Sequence, residues 1–219
     1  MKRYIIIKTI ITILLSVIGS TAVAKNHNPI RWGVQTSFDV ELPGKWHGEN
    51  ADVNMFNPGY GLTVGCVSHI YIGSHFYFEP EISLFYAQYK YKDLVITGDD
   101  GKILESDPKL HKWGIQVPLV FGYSFDFPMN VFTGPQIRYA FAGSVDIKNK
   151  KLIEGMEDDF DLWGIHGQRR FDCSWTIGIG FPIKEFILYF KADIGITNLL
   201  KGDMMFRENR LGFGITYHF

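Results

Sequence analysis

Glu79 and Glu81 stand two residues apart, a spacing that in an extended chain puts both carboxylates on one face, as a general acid and base couple would require. His47, His111 and His166 are further candidates for a base. The run Glu157, Asp158, Asp159 and Asp161 offers hard oxygen ligands to a divalent cation. Cys66 and Cys173 are the only thiols. Weighed against these is the absence of any motif that fixes partners around them. The chain has no HExxH, no nucleophile elbow and no GxxxxGK[ST], and Gly178-Ile179-Gly180 reads as glycines within a strand rather than a dinucleotide turn. The Glu pair reads as structural ion pairing with Arg31, Arg138 and Lys191, and the acidic run as a solvated loop. The thiols read as free, because they fall on the apolar face of segments that are not neighbours. No catalytic, cofactor-binding or metal site is assigned, and no enzyme activity is expected.

The elements that would position these groups are strands. From Arg210 to Phe219 the chain alternates strictly, with Leu211, Phe213, Ile215, Tyr217 and Phe219 on one face and Arg210, Gly212, Gly214, Thr216 and His218 on the other. A period of two fits no helix. The same template finds seven more segments: Ile30 to Phe38, Tyr60 to Ile72, Phe76 to Tyr89, His111 to Tyr123, Asn130 to Gly143, Phe171 to Ile183 and Phe186 to Thr197. Each is near the roughly 9–11 residues a tilted strand needs to cross hydrocarbon. Pro80, Pro118, Pro135 and Pro182 each remove a ladder donor, so bulges are expected there.

The links between segments alternate in length. Long polar ones run from Val40 to Pro58, Lys90 to Leu110 and Ser144 to Arg170; short ones sit at Gly73 to His75, Ser124 to Met129 and Lys184-Glu185. Long external loops and tight periplasmic turns give that order in a membrane barrel, whereas a soluble sandwich has no reason to. Energetics then choose the face. Arg or Lys facing lipid near the midplane costs about 2–4 kcal/mol each, so the apolar set must point out. The inward set contains Arg31, Lys112, Arg138, Lys191 and Arg210 beside Glu79, Glu81, Asp172 and Asp193. An eight-stranded bore is just wide enough for side chains to fill, so these charges are expected to form a plugged, ion-paired interior, with inward glycines leaving room for long polar neighbours.

The amino terminus reads as an address. Lys2 and Arg3 precede an apolar stretch and then Ala22-Val23-Ala24, so residues 1–24 are expected to be a removed signal peptide and 25–219 a single barrel domain. After it, no apolar run approaches the about 20 residues of a spanning helix. A net charge of -1 with 21% charged residues argues against a nucleic-acid partner.

Gln116-Val117-Pro118-Leu119-Val120-Phe121-Gly122-Tyr123 resembles the Ile-Pro-Leu strand of the PorT-like outer-membrane proteins of Bacteroidetes. Gly134-Pro135, Phe171-Asp172 and Gly195-Ile196-Thr197-Asn198 are similar to other recurring pieces of that family. The resemblance implies an eight-stranded barrel, with one branch of the family serving type IX secretion. The expectation is thus an all-β, transmembrane, eight-stranded antiparallel up-and-down barrel in the cell outer membrane. Its role would be structural, adhesive or secretion-accessory and carried by its extracellular loops. Expected partners are outer-membrane lipid and lipopolysaccharide, the barrel-assembly machinery through the terminal strand, and a protein at the loops; no cofactor is expected. The alternatives are an outer-leaflet lipid-modifying enzyme and a soluble periplasmic carrier barrel.

Overall fold

Twelve strands form among the described residues: β1 (Ile30–Pro43), β2 (Trp46–His47), β3 (Asp52–Val53), β4 (Phe56–Ile72), β5 (Phe76–Tyr91), β6 (Val95–Thr97), β7 (Ile103–Ser106), β8 (Lys109–Ser124), β9 (Asn130–Asp146), β10 (Phe171–Ile183), β11 (Phe186–Gly195) and β12 (Glu208–His218). The computed structural model describes residues 30–47, 52–53, 56–92, 95–97, 103–106, 108–146, 169–199 and 206–219. The expected signal peptide, His166 and the acidic run Glu157 to Asp161 lie outside them.

Eight of the strands close a barrel in the order β1-β12-β11-β10-β9-β8-β5-β4, each pair antiparallel. Closure pairs the first strand with the last, from Gly33 with His218 to Pro43 with Glu208, so the sheet keeps no open edge. Two small hairpins, β2-β3 and β6-β7, stand apart from it. At one end the strands join by tight turns. Lys184, with φ of 56°, supplies the left-handed residue of the two-residue Lys184-Glu185 hairpin, and Gly73, with φ of 79°, serves the turn before β5. Both described chain ends lie there as well, which makes it the periplasmic end.

Several strands outrun their expected limits. β1 continues past Phe38 to Pro43, β4 begins at Phe56 and β12 begins at Glu208. The limit of about ten residues comes from hydrocarbon thickness, yet backbone pairing continues wherever lumen side chains still pack above the lipid. The proline bulges are corrected too. Register is unbroken through Pro135 opposite Trp175 and through Pro182 opposite Ile187. Around Pro80 and Pro118 pairing skips two residues and resumes unchanged. Neighbours on both sides hold each strand in a closed barrel, so one missing donor does not shift it. Within the barrel the observed register shifts fall between Asn57 and Tyr60 and between Trp113 and Gly114.

The outward faces are apolar over the whole circumference. Val64 (58% exposed), Phe76 (60%), Ile82 (59%), Ile177 (53%), Phe190 (50%) and Ile194 (55%) all point away from the bore. Such a continuous surface needs a hydrocarbon solvent. Rings pair across strands on this face: Phe190 with Phe213 at 5.0 Å, Phe78 with Phe121 at 4.7 Å and Tyr86 with Trp113 at 4.6 Å. Phe190 sits midway along β11, whereas Tyr60 lies toward the outer end of β4. Phe190→Arg should therefore cost about 2–4 kcal/mol and Tyr60→Arg about 0–1 kcal/mol, measured by urea unfolding in phospholipid vesicles. Equal costs at the two depths would contradict a lipid-facing exterior.

Candidate functional site

The bore is the part of the molecule where polar chemistry collects, and it is filled in tiers. At its extracellular mouth Phe56, Tyr89, Tyr91, Leu110, Leu199 and Phe206 form a buried apolar cluster with Phe85, Ala87, Ala140 and Val145. Phe56 lies 4.6 Å from the Tyr91 ring and 5.5 Å from that of Phe206. The segment bearing Phe206 is tied down by its own backbone, through Leu199 N–H to Phe206 C=O at 2.9 Å and Phe206 N–H to Asn198 Oδ1 at 2.9 Å.

Beneath this apolar cap lie the charges. Lys112 Nζ donates to Glu208 Oε1 at 2.6 Å, and Tyr89 donates to the same oxygen at 2.7 Å. Arg138 lies 3.8 Å from Glu41 and stacks over the Phe85 ring at 3.7 Å. Arg210 is a hub: its Nε donates to Asp193 at 3.2 Å, its Nη2 donates to Ser174 Oγ at 3.0 Å, and its Nη1 lies 3.8 Å from Asp172. One level down, Lys191 stands 3.9 Å from both Asp39 and Asp193. Hydroxyls and an amide add further bonds, with Thr176 donating to Asp193 at 2.7 Å, Gln136 to Asp193 at 3.3 Å, and Ser37 and Thr63 each to Asp39 at 2.9 Å.

Of the residues expected in the bore from sequence, Glu81, Lys112, Arg138, Asp172, Lys191, Asp193 and Arg210 are all buried there. Glu79 is half-buried at the periplasmic end beside His69. Arg31 is corrected: it is exposed on the periplasmic rim, its guanidinium 5.7 Å from the Tyr71 ring. Its parity is inward, but at the first turn of β1 there is no bore left to enter. Three buried carboxylates were not expected, Asp39, Glu41 and Glu208. They alter the charge balance, because six buried carboxylates (Asp39, Glu41, Glu81, Asp172, Asp193, Glu208) now face four cations (Lys112, Arg138, Lys191, Arg210). Glu81 has no cation within 4 Å among the described residues.

Gly212 makes room for Asp39 and Lys191, as expected of an inward glycine, but four others do different work. Each of the four pairs opposite an aromatic ring across the ladder: Gly122 with Tyr77, Gly114 with Phe85, Gly178 with Phe132 and Gly214 with Tyr189. A Cβ at any of the four would collide with that ring. The rings occupy the space over bare backbone, which lets bulky side chains fit a narrow cylinder. A gap of about 30 Å³ between Tyr77, Glu81, Gln136 and Tyr189 is among the spaces left, room for a water or two.

The candidate base His111 is on the outer face, its Nδ1 2.7 Å from the Tyr86 hydroxyl and its ring stacked on that phenol. It belongs to the aromatic girdle. Cys66 and Cys173 are free and half-buried on the outer face.

A closed antiparallel barrel with apolar outside and charged, filled inside defines an outer-membrane β-barrel, located in the cell outer membrane. The chain belongs to the family described as the outer membrane protein beta-barrel domain, whose model matches residues 20–201. No match is found among curated protein sequences. Among solved structures it is similar to Neisserial surface protein A, at 12% identity and a TM-score of 0.50, over 89% of this chain and 100% of that one. It is also similar to Ail, the attachment invasion locus protein of Yersinia pestis (8% identity, TM-score 0.43, 87% of this chain and 99% of that one). OprG of Pseudomonas aeruginosa is a third (10%, 0.42, 87% and 94%). The soluble periplasmic carrier is thereby set aside, since a carrier barrel needs an apolar lumen and a wet exterior, and this chain has the reverse.

Proposed function

We propose that this barrel is a non-conducting, non-enzymatic outer-membrane scaffold that acts through its extracellular loops, in adhesion or as an accessory to secretion. The observation that carries the reading is the doubly filled bore, an apolar cap over an ion-paired layer, which leaves the loops as the surface able to meet a partner. The PorT-like motifs favour the secretion-accessory form, of the type IX kind, in a bacterium of the Bacteroidetes. Outer-leaflet lipid and lipopolysaccharide would contact the aromatic girdle. The terminal strand, with Leu211, Phe213, Ile215, Tyr217 and Phe219 outward and its partner β1 already in place, would be the segment the barrel-assembly machinery reads.

The test replaces residues 147–168 with a short turn in the full-length protein, followed by assays of cell adhesion and of secreted protein. A folded barrel, judged by heat-modifiable migration on gels, combined with loss of adhesion or secretion is the expected result. Unchanged adhesion and secretion would overturn the loop reading. Altered lipid A in cells carrying the gene, compared with cells lacking it, would instead establish the lipid-modifying enzyme.

A further inference from the structure

Barrel closure brings together three side chains that are far apart in the chain. His69 on β4, Glu79 on β5 and His218 on β12 meet at the periplasmic end of the bore, each offering a ligand atom within 4.8 Å of the others. The registers explain the meeting. Val67 pairs with Glu81 and Ile70 with Phe78, which sets His69 beside Glu79. On the other side of β1, Gly33 pairs with His218 and Val67 flanks it. Because Gly33 has no side chain, the two imidazoles reach one another across β1, with ring centroids 5.3 Å apart.

Hydrogen bonding does not account for the group. His69 Nδ1 is 2.5 Å from Glu79 Oε2, which uses one imidazole. His218 is 7% exposed, and its Nε2 is buried, has no hydrogen-bond partner and lies 4.0 Å from the same carboxylate oxygen. A buried ring nitrogen left so is costly unless a partner takes up its lone pair or accepts its N–H. His69 is meanwhile locked in place, stacked on Tyr77 at 4.3 Å and meeting the edge of Tyr71 at 4.6 Å.

We propose that His69, Glu79 and His218 form a binding site for a divalent transition-metal ion of the zinc type, entered from the periplasm. Two imidazoles and a carboxylate suit such an ion better than calcium or magnesium, which prefer oxygen. Donors around a tetrahedral ion at about 2.1 Å stand about 3.4 Å apart, so seating it needs only side-chain adjustment. The fourth position would be open to solvent beside Glu79, which is 17% exposed. Since the ligands come from β4, β5 and β12, bound metal would staple the seam where the first and last strands meet.

The test uses the full mature chain folded in detergent micelles, titrated with Zn2+ by calorimetry and with Co2+ by visible absorption. The site predicts one ion per chain, a tetrahedral Co2+ spectrum and a rise in unfolding midpoint with Zn2+. His218→Ala should weaken binding at least tenfold, the scale on which ligand-sphere changes act, and abolish the rise in midpoint. Glu79→Gln, which keeps a hydrogen-bonding partner for His69 and so preserves the fold, should weaken binding likewise. Less than one ion per chain in the unaltered protein would overturn the proposal. So would undiminished binding in either folded variant, which would place the metal on other histidines.

Discussion

Arg210→Met is expected to cost about 3–5 kcal/mol of barrel stability, the range for removing one partner of a buried ion pair. The substitution keeps most of the side-chain length and apolar volume but deletes three contacts, to Asp193, Asp172 and Ser174. Among the described residues it leaves Asp172 with no cation within 4 Å and Asp193 with Lys191 at 3.9 Å as its one cation, in a bore already holding more buried acids than bases. Urea unfolding in phospholipid vesicles, followed by tryptophan fluorescence, reads the loss. Arg210→Met combined with Asp193→Asn should recover part of it, since the second change removes one of the stranded charges. A loss below about 1 kcal/mol would mean the pairs are water-screened, as surface ion pairs are, and that the bore is wet throughout.

Phe206→Ala is the second large effect, also expected at about 3–5 kcal/mol, because it empties the centre of the apolar cap. Phe206 is 0% exposed and packs against Phe56, while Leu199 and Asn198 hold its backbone. The link before β12 should become sensitive to protease as its anchor is lost. Conductance should not appear, since the charged layer below still fills the cylinder. A variant as stable as the parent would show that the mouth is held by something other than this cluster.

The lipid-facing half of the fold is plain in the sequence because hydrocarbon punishes every exception. Leu62, Val64, Trp175, Ile177 and Phe213 alternate without error, so strand identity, parity and the buried cations Lys112, Arg138, Lys191 and Arg210 follow from residue order. The strand ends are less legible. Val40 and Leu42 continue the alternation, yet a length limit set by membrane thickness cuts β1 at Phe38 and hides Asp39 and Glu41. Glu208 is hidden similarly, with Asn209 rather than an apolar residue beside it. What the sequence cannot carry is register. That Gly122 faces Tyr77, or that His69, Glu79 and His218 share one corner, depends on how strands slide before the barrel closes, and inward parity alone does not fix it.

Single-channel recording of the purified protein in planar phospholipid bilayers tests the central claim most directly. A cylinder bathed in lipid outside and filled with paired ions and packed rings inside predicts insertion without steady conductance steps. Large, long-lived open steps from the unaltered protein would contradict it.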